Sequence, residues 1–137
     1  MTSAVTGQQY QIGAGSYHAT ITELGAGLRE LLFHDQPVIA GYGADELPPG
    51  GAGQLLAPWP NRIDGGRYVF DGVEFQLALT EPANANAIHG LTRWMAWTPV
   101  RHDASAVVLL IFDGVRGGLG RFSLHNHSRR SSKGPGG

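Results

Sequence analysis

The chain has 137 residues, 42% of them hydrophobic, which suits one ordinary domain or part of a larger one. Charged residues make up 15%, below the roughly 25% typical of soluble domains, and 21 glycines with 8 prolines favour turn-rich β structure over helices. Cysteine is absent, which excludes disulfides and thiolate metal sites. Residues 1–11 lack a basic and apolar leader pattern, and no run approaches the roughly 18 apolar residues of a membrane span. We therefore expect a cytoplasmic protein with no membrane partner.

Charge divides the chain at Asp113. Residues 1–113 carry 5 Lys/Arg and all 11 Asp/Glu, a net charge of −6, whereas residues 114–137 carry 5 Lys/Arg and no acid, a net charge of +5. The second segment also has seven glycines in 24 residues, so it cannot bury enough apolar surface to offset its ordering entropy. The sequence predicts a folded region over 1–113, the amino-terminal part of a larger domain, and a disordered basic tail over 114–137.

The first half of the chain contains β-rich runs separated by breaks with Gly, Pro or Asp. In one of them Tyr17, Ala19 and Ile21 fall on one face, the pattern of a half-buried strand. No helix of convincing length and no internal repeat emerges, so the predicted fold class is mainly β, a sandwich of antiparallel strands. The predicted strands cover residues 8–12, 17–24, 28–33 and 38–42.

The clearest local signal is a hairpin over residues 67–77. Two β-rich runs are joined by Asp71-Gly72, a pair that tolerates the positive φ angles of a type I′ turn. Turn chemistry and hydrophobic alternation then specify the same register. That register pairs Phe70 with Val73 and Tyr68 with Phe75.

Two loops are predicted in the middle of the chain. Residues 43–53 are rich in Pro and Gly, which lack donors or cost ordering entropy, so no regular element is expected there. Loops of the length of 43–53 in compact domains are often functional. Residues 80–86 form a second loop, rich in Asn and Ala. After them, residues 106–112 are apolar on both faces, which predicts a central strand.

The first group that could carry chemistry is the run 55–63, Leu-Leu-Ala-Pro-Trp-Pro-Asn-Arg-Ile. Two prolines stiffen the backbone around Trp59, and Asn61 and Arg62 follow directly. Sugar ring faces stack on aromatic rings and sugar hydroxyls take paired donors and acceptors, so this set suits sugar recognition. The alternative is a rigid turn with Arg62 in a structural ion pair, and the residues alone favour it.

The second group is the run 84–91, Asn-Ala-Asn-Ala-Ile-His-Gly-Leu. Glycine after His89 permits close backbone approach, and imidazole can donate to or accept from a sugar oxygen. A lone histidine is more often structural than functional, so that alternative stays open. His125 and His127 stand two apart, but no Asp, Glu or Cys follows Asp113 in this chain, and no metal site is predicted.

Together, the order and spacing of these motifs resemble the aldose 1-epimerase (galactose mutarotase) family, over about Gly7 to Asp113. The family pattern is a Gly-rich loop, Asn-Arg-Ile, a hairpin centred on a Gly turn, an Asn-containing loop and then His-Gly. The resemblance implies a partial galactose mutarotase-like supersandwich of antiparallel strands. The matching positions are 50–53, 61–63, 71–72, 84–86 and 89–90, with 24–28 before them and Trp97 after them.

The resemblance also implies a function, the interconversion of α and β anomers of free hexoses such as galactose and glucose in carbohydrate metabolism, without a cofactor. It places Arg62 and His89 on hexose hydroxyls with Asn61 supporting them, and Trp59 is the candidate for stacking on the sugar. In the family a carboxylate and a histidine move the protons, and both lie in a carboxyl-terminal portion beyond these residues. We therefore expect no complete catalytic pair here, and His89 is the one residue that could assist. The segment 58–60, Pro-Trp-Pro, departs from the Arg-Tyr-Ala type of many members and leaves the exact sugar open.

Other interpretations stay open from the sequence. A carbohydrate-binding module would keep the sugar contacts without the chemistry, and an inactive remnant would keep neither. Five basic charges in the tail with little aromatic interleaving give only salt-sensitive affinity for nucleic acid, so no specific nucleic-acid partner is expected.

A truncation or a reading-frame change would explain the change in composition after Asp113. It would also leave sheet edges uncovered and favour self-association, most of all at residues 106–112.

Overall fold

A four-stranded antiparallel sheet forms the amino-terminal part of the fold. The computed structural model describes residues 3–111 and the backbone of residues 122–125. The sheet has the order β1-β2-β3-β4, so each strand pairs with its neighbour in sequence. The prediction for Leu28–Phe33 is confirmed, and the first two strands lie within two residues of their predicted bounds. These strands are β1 (Gln9–Ala14), β2 (Tyr17–Thr22), β3 (Leu28–Phe33) and β4 (Gln36–Pro37).

The strand predicted over 38–42 is wrong. The chain turns back directly after β3, because His34 and Asp35 both adopt positive φ angles (48° and 59°) and bring Gln36 opposite Phe33. Only the two residues of β4 pair with β3 in the ladder. The Val38 N–H still donates to the Leu31 carbonyl oxygen of β3 at 2.8 Å, but no strand continues over 38–42.

A second, three-stranded sheet has the order β11-β10-β9. The prediction of a central strand over 106–112 is confirmed, since β10 pairs on both sides. Alternate residues of β10, Val107, Leu109 and Ile111, are almost fully buried, and each such side chain contributes roughly 1.5–3 kcal/mol. They form the core together with Tyr10, Ile21 and Trp97. The strands are β9 (Thr98–His102), β10 (Val107–Ile111) and β11 (Phe122–His125).

Strand β11 falls inside the segment for which the sequence predicts disorder. Its backbone pairs antiparallel with β10, Ile111 opposite Phe122 and Val108 opposite His125. The open edge of an apolar strand offers unpaired N–H and C=O groups, and these four residues use them. The disorder expected over 114–137 stays a prediction, because outside the backbone of 122–125 this segment lies beyond the described residues.

The predicted hairpin is confirmed with its register. Strands β6 (Arg67–Phe70) and β7 (Val73–Gln76) pair Phe70 with Val73 and Tyr68 with Phe75. Asp71 and Gly72 have φ angles of 49° and 73°, as a type I′ turn requires. Every residue of both strands is exposed, so the hairpin rests on turn chemistry and cross-strand pairs rather than on burial.

Two very short strands complete the described part of the fold. β5 (Arg62–Asp64) and β8 (Asn86–Ile88) pair antiparallel and lie on either side of the hairpin in sequence. The two predicted loops each contain one 3₁₀ turn, Pro49–Gly51 and Pro82–Asn84. Across residues 3–111 no helix reaches the length and apolar content needed to cross a membrane.

Candidate functional site

The two sequence motifs meet where β5 begins and β8 ends. Arg62 pairs with Ile88 in the β5–β8 ladder, which brings Asn61 and His89 face to face at its end. The His89 N–H donates to the Asn61 carbonyl oxygen at 2.9 Å, and the Asn61 N–H donates to the His89 ring nitrogen Nδ1 at 3.1 Å. Both residues have positive φ angles, 60° and 63°. Such backbone is uncommon outside glycine, and it persists only where surrounding contacts over-determine it.

Close backbone packing joins the run 55–63 to the run 84–91. The Leu91 N–H donates to the Ala57 carbonyl oxygen at 2.7 Å, and the Thr92 hydroxyl donates to the Leu55 carbonyl oxygen at 3.2 Å. Gly90 has a φ angle of 73°, and a Cβ on it would overlap the carbonyl group of Ala57. The glycine after His89 is therefore required by the approach of the Ala57 backbone, as the sequence suggested.

Arg62 is held by a carboxylate that the sequence did not single out. Its Nε and Nη2 atoms donate to Oε2 and Oε1 of Glu81 at 2.7 and 2.9 Å, a two-bond fork. Its Nη1 atom donates to Oδ1 of Asn61 at 3.1 Å. Glu81 also accepts from the side-chain amide of Asn86 at 3.3 Å. The guanidinium is thus fixed on two sides, although half of the Arg62 side chain is exposed.

Hydrogen bonding shifts the pKa values of Glu81 and Arg62 in opposite directions. The bonds from Arg62, and after them those from Asn84 and Asn86, lower the pKa of Glu81 to about 2. The same carboxylate raises the pKa of Arg62. Both groups therefore stay charged over the whole physiological pH range, and the carboxylate has little capacity to act as a base.

Arg62 keeps two donors for a ligand. A guanidinium has five N–H groups, one on Nε and two on each terminal nitrogen. In the described part of the chain, Nε and one N–H of Nη2 serve Glu81, and one N–H of Nη1 serves Asn61. One N–H remains on each terminal nitrogen. The ion pair that was the alternative for Arg62 is therefore present, and it leaves a pair of donors beside it.

The Gly-rich loop also reaches this place. A Cβ on Gly51 would lie 3.5 Å from Nη1 of Arg93 and 3.9 Å from Cδ2 of His89. The guanidinium of Arg93 lies over the ring of Trp94, 4.7 Å from its centroid. Trp59 is half-buried, and its Nε1 atom has no hydrogen-bond partner among the described residues. Its predicted stacking on a sugar stays a prediction.

Sequence reasoning brought Asn61, Arg62 and His89 together, but it missed Glu81 and Arg93. Glu81 stands at the start of the predicted loop 80–86, and nothing in its local sequence distinguishes it from the other ten acids of the chain. Its pairing with Arg62 spans 19 residues and depends on the β5–β8 ladder. The only available signal was that it is one of four acidic residues between the two motifs. Across residues 3–111 no group of three or more His, Asp and Glu side chains could hold a metal ion.

Comparisons with known proteins agree on one family. The family model "Aldose 1-epimerase" matches residues 8–127, beyond the span of the resemblance seen in the sequence. The "Uncharacterized protein YihR" of Escherichia coli K12 is 41% identical over 107 residues, which are 78% of this chain and 35% of that protein.

Solved structures show the same fold. A putative aldose 1-epimerase from Escherichia coli K12 superposes with a TM-score of 0.72 at 22% identity, over 86% of this chain and 40% of that one. The GalM/aldose epimerase homologue from C. elegans gives 0.64 at 20% identity, over 76% and 35%. A galactose mutarotase-like protein from Clostridium acetobutylicum gives 0.56 at 25% identity, over 79% and 36%. The predicted mainly β, galactose mutarotase-like fold is confirmed, and the chain spans 35–40% of the length of these relatives.

Proposed function

Because the chain belongs to the aldose 1-epimerase family, we propose that it serves the interconversion of α and β anomers of free hexoses such as galactose and glucose. Its part in that reaction is to hold the sugar. One observation carries this proposal, the pair of N–H donors on the two terminal nitrogens of Arg62 that no described residue uses. We place the activity in the cytoplasm, within carbohydrate metabolism, with a small sugar as partner and no cofactor.

The two donors of Arg62 match the chemistry of a hexose. Adjacent hydroxyl groups on a sugar ring offer two neighbouring oxygen acceptors, and a planar guanidinium presents its remaining N–H groups in a fixed geometry. Glu81 and Asn61 hold the guanidinium from the other sides, so little side-chain entropy is lost when a sugar binds. His89 lies beside Asn61 and adds a further ring nitrogen to the same site.

We further propose that these 137 residues lack the acid and base that open the sugar ring. Anomer exchange needs a base for the C1 hydroxyl and an acid for the ring oxygen, and each positioned group contributes roughly 10²- to 10⁴-fold. Glu81 accepts from Arg62, and Nδ1 of His89 accepts from the Asn61 amide, so these groups already serve structural hydrogen bonds rather than proton transfer. The same occupancy favours the second candidate function, a carbohydrate-binding module without turnover.

Binding and turnover are measured separately on the full chain. Titration with galactose and glucose, followed by tryptophan fluorescence, should give saturable binding. Polarimetry on freshly dissolved α-anomers should give the rate of buffer alone. Arg62→Ala should abolish binding, whereas Arg67→Ala, which removes an exposed guanidinium paired with Glu74 on the hairpin, should leave it unchanged. Absence of saturable binding in the wild type contradicts the proposal, and a rate above buffer that is lost in His89→Ala contradicts the missing acid and base.

Fixed anomers distinguish the two candidate functions. A protein that serves both directions of anomer exchange has to accept both anomers, whereas a binding module can select one. Titration with methyl α- and methyl β-galactoside should therefore give comparable affinities if the chain serves a mutarotase. Strong preference for one glycoside supports the binding module.

We also propose that the full chain associates with itself. Val69 and Phe70 on the hairpin are 68% and 70% exposed, and exposed apolar strands favour association. Size-exclusion chromatography at increasing concentration should show a growing oligomer fraction, reduced by Phe70→Lys. A monomer at all concentrations contradicts the proposal.

A further inference from the structure

We infer that the backbone amide of Asn61 holds His89 in the tautomer that carries its proton on Nε2, so that His89 faces a ligand only as a hydrogen-bond donor. The Asn61 N–H lies 3.1 Å from Nδ1 of His89. An amide N–H can only donate, so Nδ1 has to accept with its lone pair. A neutral imidazole with an unprotonated Nδ1 carries its proton on Nε2.

The backbone around the two residues leaves the ring little freedom. A second bond runs the opposite way, from the His89 N–H to the Asn61 carbonyl oxygen at 2.9 Å. The adjacent ladder pairs Arg62 with Ile88, and Ile88 is buried. Asn61 and His89, both with positive φ angles, are therefore joined by two hydrogen bonds where β5 begins and β8 ends, and the bond to Nδ1 is one of them.

The tautomer determines the class of ligand atom that this side of the site accepts, an interpretation that rests on the proposed function. Arg62 offers two N–H donors and His89 offers a third on Nε2. The nearby oxygen atoms already accept from Arg62, Oδ1 of Asn61 once and each carboxylate oxygen of Glu81 once. Donors therefore dominate this side of the site, which fits sugar oxygens that accept three hydrogen bonds.

The tautomer is measured directly by nitrogen NMR on the full chain without sugar. At about pH 8, where imidazole is ordinarily neutral, the His89 ring should show a protonated Nε2 and an unprotonated Nδ1. A scalar coupling across the hydrogen bond should link Nδ1 to the Asn61 amide nitrogen. His89→Ala assigns the signals. A proton on Nδ1, or the averaged shifts of two exchanging tautomers, overturns the inference.

A matched variant separates the backbone from the side chain of Asn61. Asn61→Gly tolerates the positive φ angle and keeps the amide, but it removes the oxygen that Arg62 contacts. The Nε2–H tautomer and the coupling should persist in this variant. Their loss there would mean that the Asn61 side chain fixes the ring, which overturns the role assigned to the amide. The internal control is His102, whose Nε2 lies 2.9 Å from the Gln11 carbonyl oxygen, and its signals should be the same in both proteins.

Failure of the inference and failure of the proposed function give different results. The tautomer is determined without ligand, so it stands or falls even if no hexose binds. Added galactose should shift the Nε2 signal of His89 more than the Nδ1 signal. A fixed Nε2–H tautomer with no response to any hexose supports the inference and contradicts the proposed function.

Discussion

Two antiparallel strand pairs in this molecule form for different reasons. The hairpin of β6 and β7 joins residues close in sequence, as the Arg67–Glu74 bond across seven residues illustrates, and all of it is exposed. The pair of β5 and β8 is only three residues long on each side, and the bond from Asn61 to His89 beside it spans 28 residues. The first pair follows from local turn chemistry, whereas the second depends on contacts that form only when distant segments meet.

The difference teaches where function is placed in this fold. The strands of the hairpin bury no residue, so we expect their side chains to tolerate change better than those of the site. The pair of β5 and β8, called the site pair below, is flanked by positive φ angles at Asn61 and His89 and by Gly90, which lies directly against the Ala57 carbonyl group. A strained backbone of this kind fixes polar side chains in one geometry, which suits binding better than a flexible loop does.

The largest effect is expected when a methyl group is added at the glycine of the site pair. Gly90→Ala places a Cβ into the carbonyl group of Ala57 at a φ angle of 73°, so the two segments have to separate. We expect a loss of about 3 kcal/mol or more in the free energy of unfolding, measured by urea denaturation. Gly72→Ala on the hairpin has the same φ angle of 73° but meets nothing within 4 Å, so it should cost only about 1 kcal/mol. Equal losses would show that packing against Ala57 does not hold the site.

The same comparison explains which parts of the fold follow from the sequence. Asp71-Gly72 with flanking alternation gave the hairpin and its register, and the apolar run 106–112 gave the central strand. The strand expected over 38–42 failed because the turn at His34 and Asp35 does not have a recognisable turn motif. β5 and β8 are too short for any hydrophobic period to appear.

The candidate site was only partly predictable for a related reason. Motif order brought Asn61, Arg62 and His89 into one set, but their contacts with sugar stay predictions. Neither the positive φ angles of Asn61 and His89 nor the choice of Glu81 as partner of Arg62 can be inferred from neighbouring residues. Both depend on the ladder between β5 and β8, a contact between segments more than twenty residues apart.

The next largest effect is expected on sugar affinity. Arg62→Lys keeps the positive charge but cannot bond Glu81 twice and still present two donors, so hexose binding should weaken by about tenfold or more. Arg67→Lys makes the same change in the exposed pair with Glu74 and should leave the affinity unchanged. Fluorescence titration with galactose compares the two. Equal affinity of both variants and the wild type would mean that charge alone, without the fork, holds the sugar.

A smaller effect follows from the acid titration of Glu81. Its pKa of about 2 in the folded chain lies below the ordinary value of 4.5, so folding favours the ionised form. The stabilisation is fully present above pH 4.5 and is lost as the pH falls from 4.5 towards 2. Carbon NMR of the Glu81 carboxyl group should give this low midpoint, and Arg62→Ala should move it upward. A midpoint that does not respond to Arg62→Ala would assign the shift to Asn84 and Asn86 instead.

The smallest effect is expected for the aromatic pair on the hairpin. The rings of Tyr68 and Phe75 stack with centroids 5.2 Å apart. Both side chains are substantially exposed, so this cross-strand contact adds only a little to the free energy of unfolding. Tyr68→Ala should cost about 1 kcal/mol or less in the free energy of unfolding and should leave hexose affinity unchanged. A double-mutant cycle with Phe75→Ala in urea denaturation isolates the pair from each residue's own contribution. A loss as large as that of Gly90→Ala would show that the hairpin supports the site pair, and the two regions would then have to be treated as one structural unit.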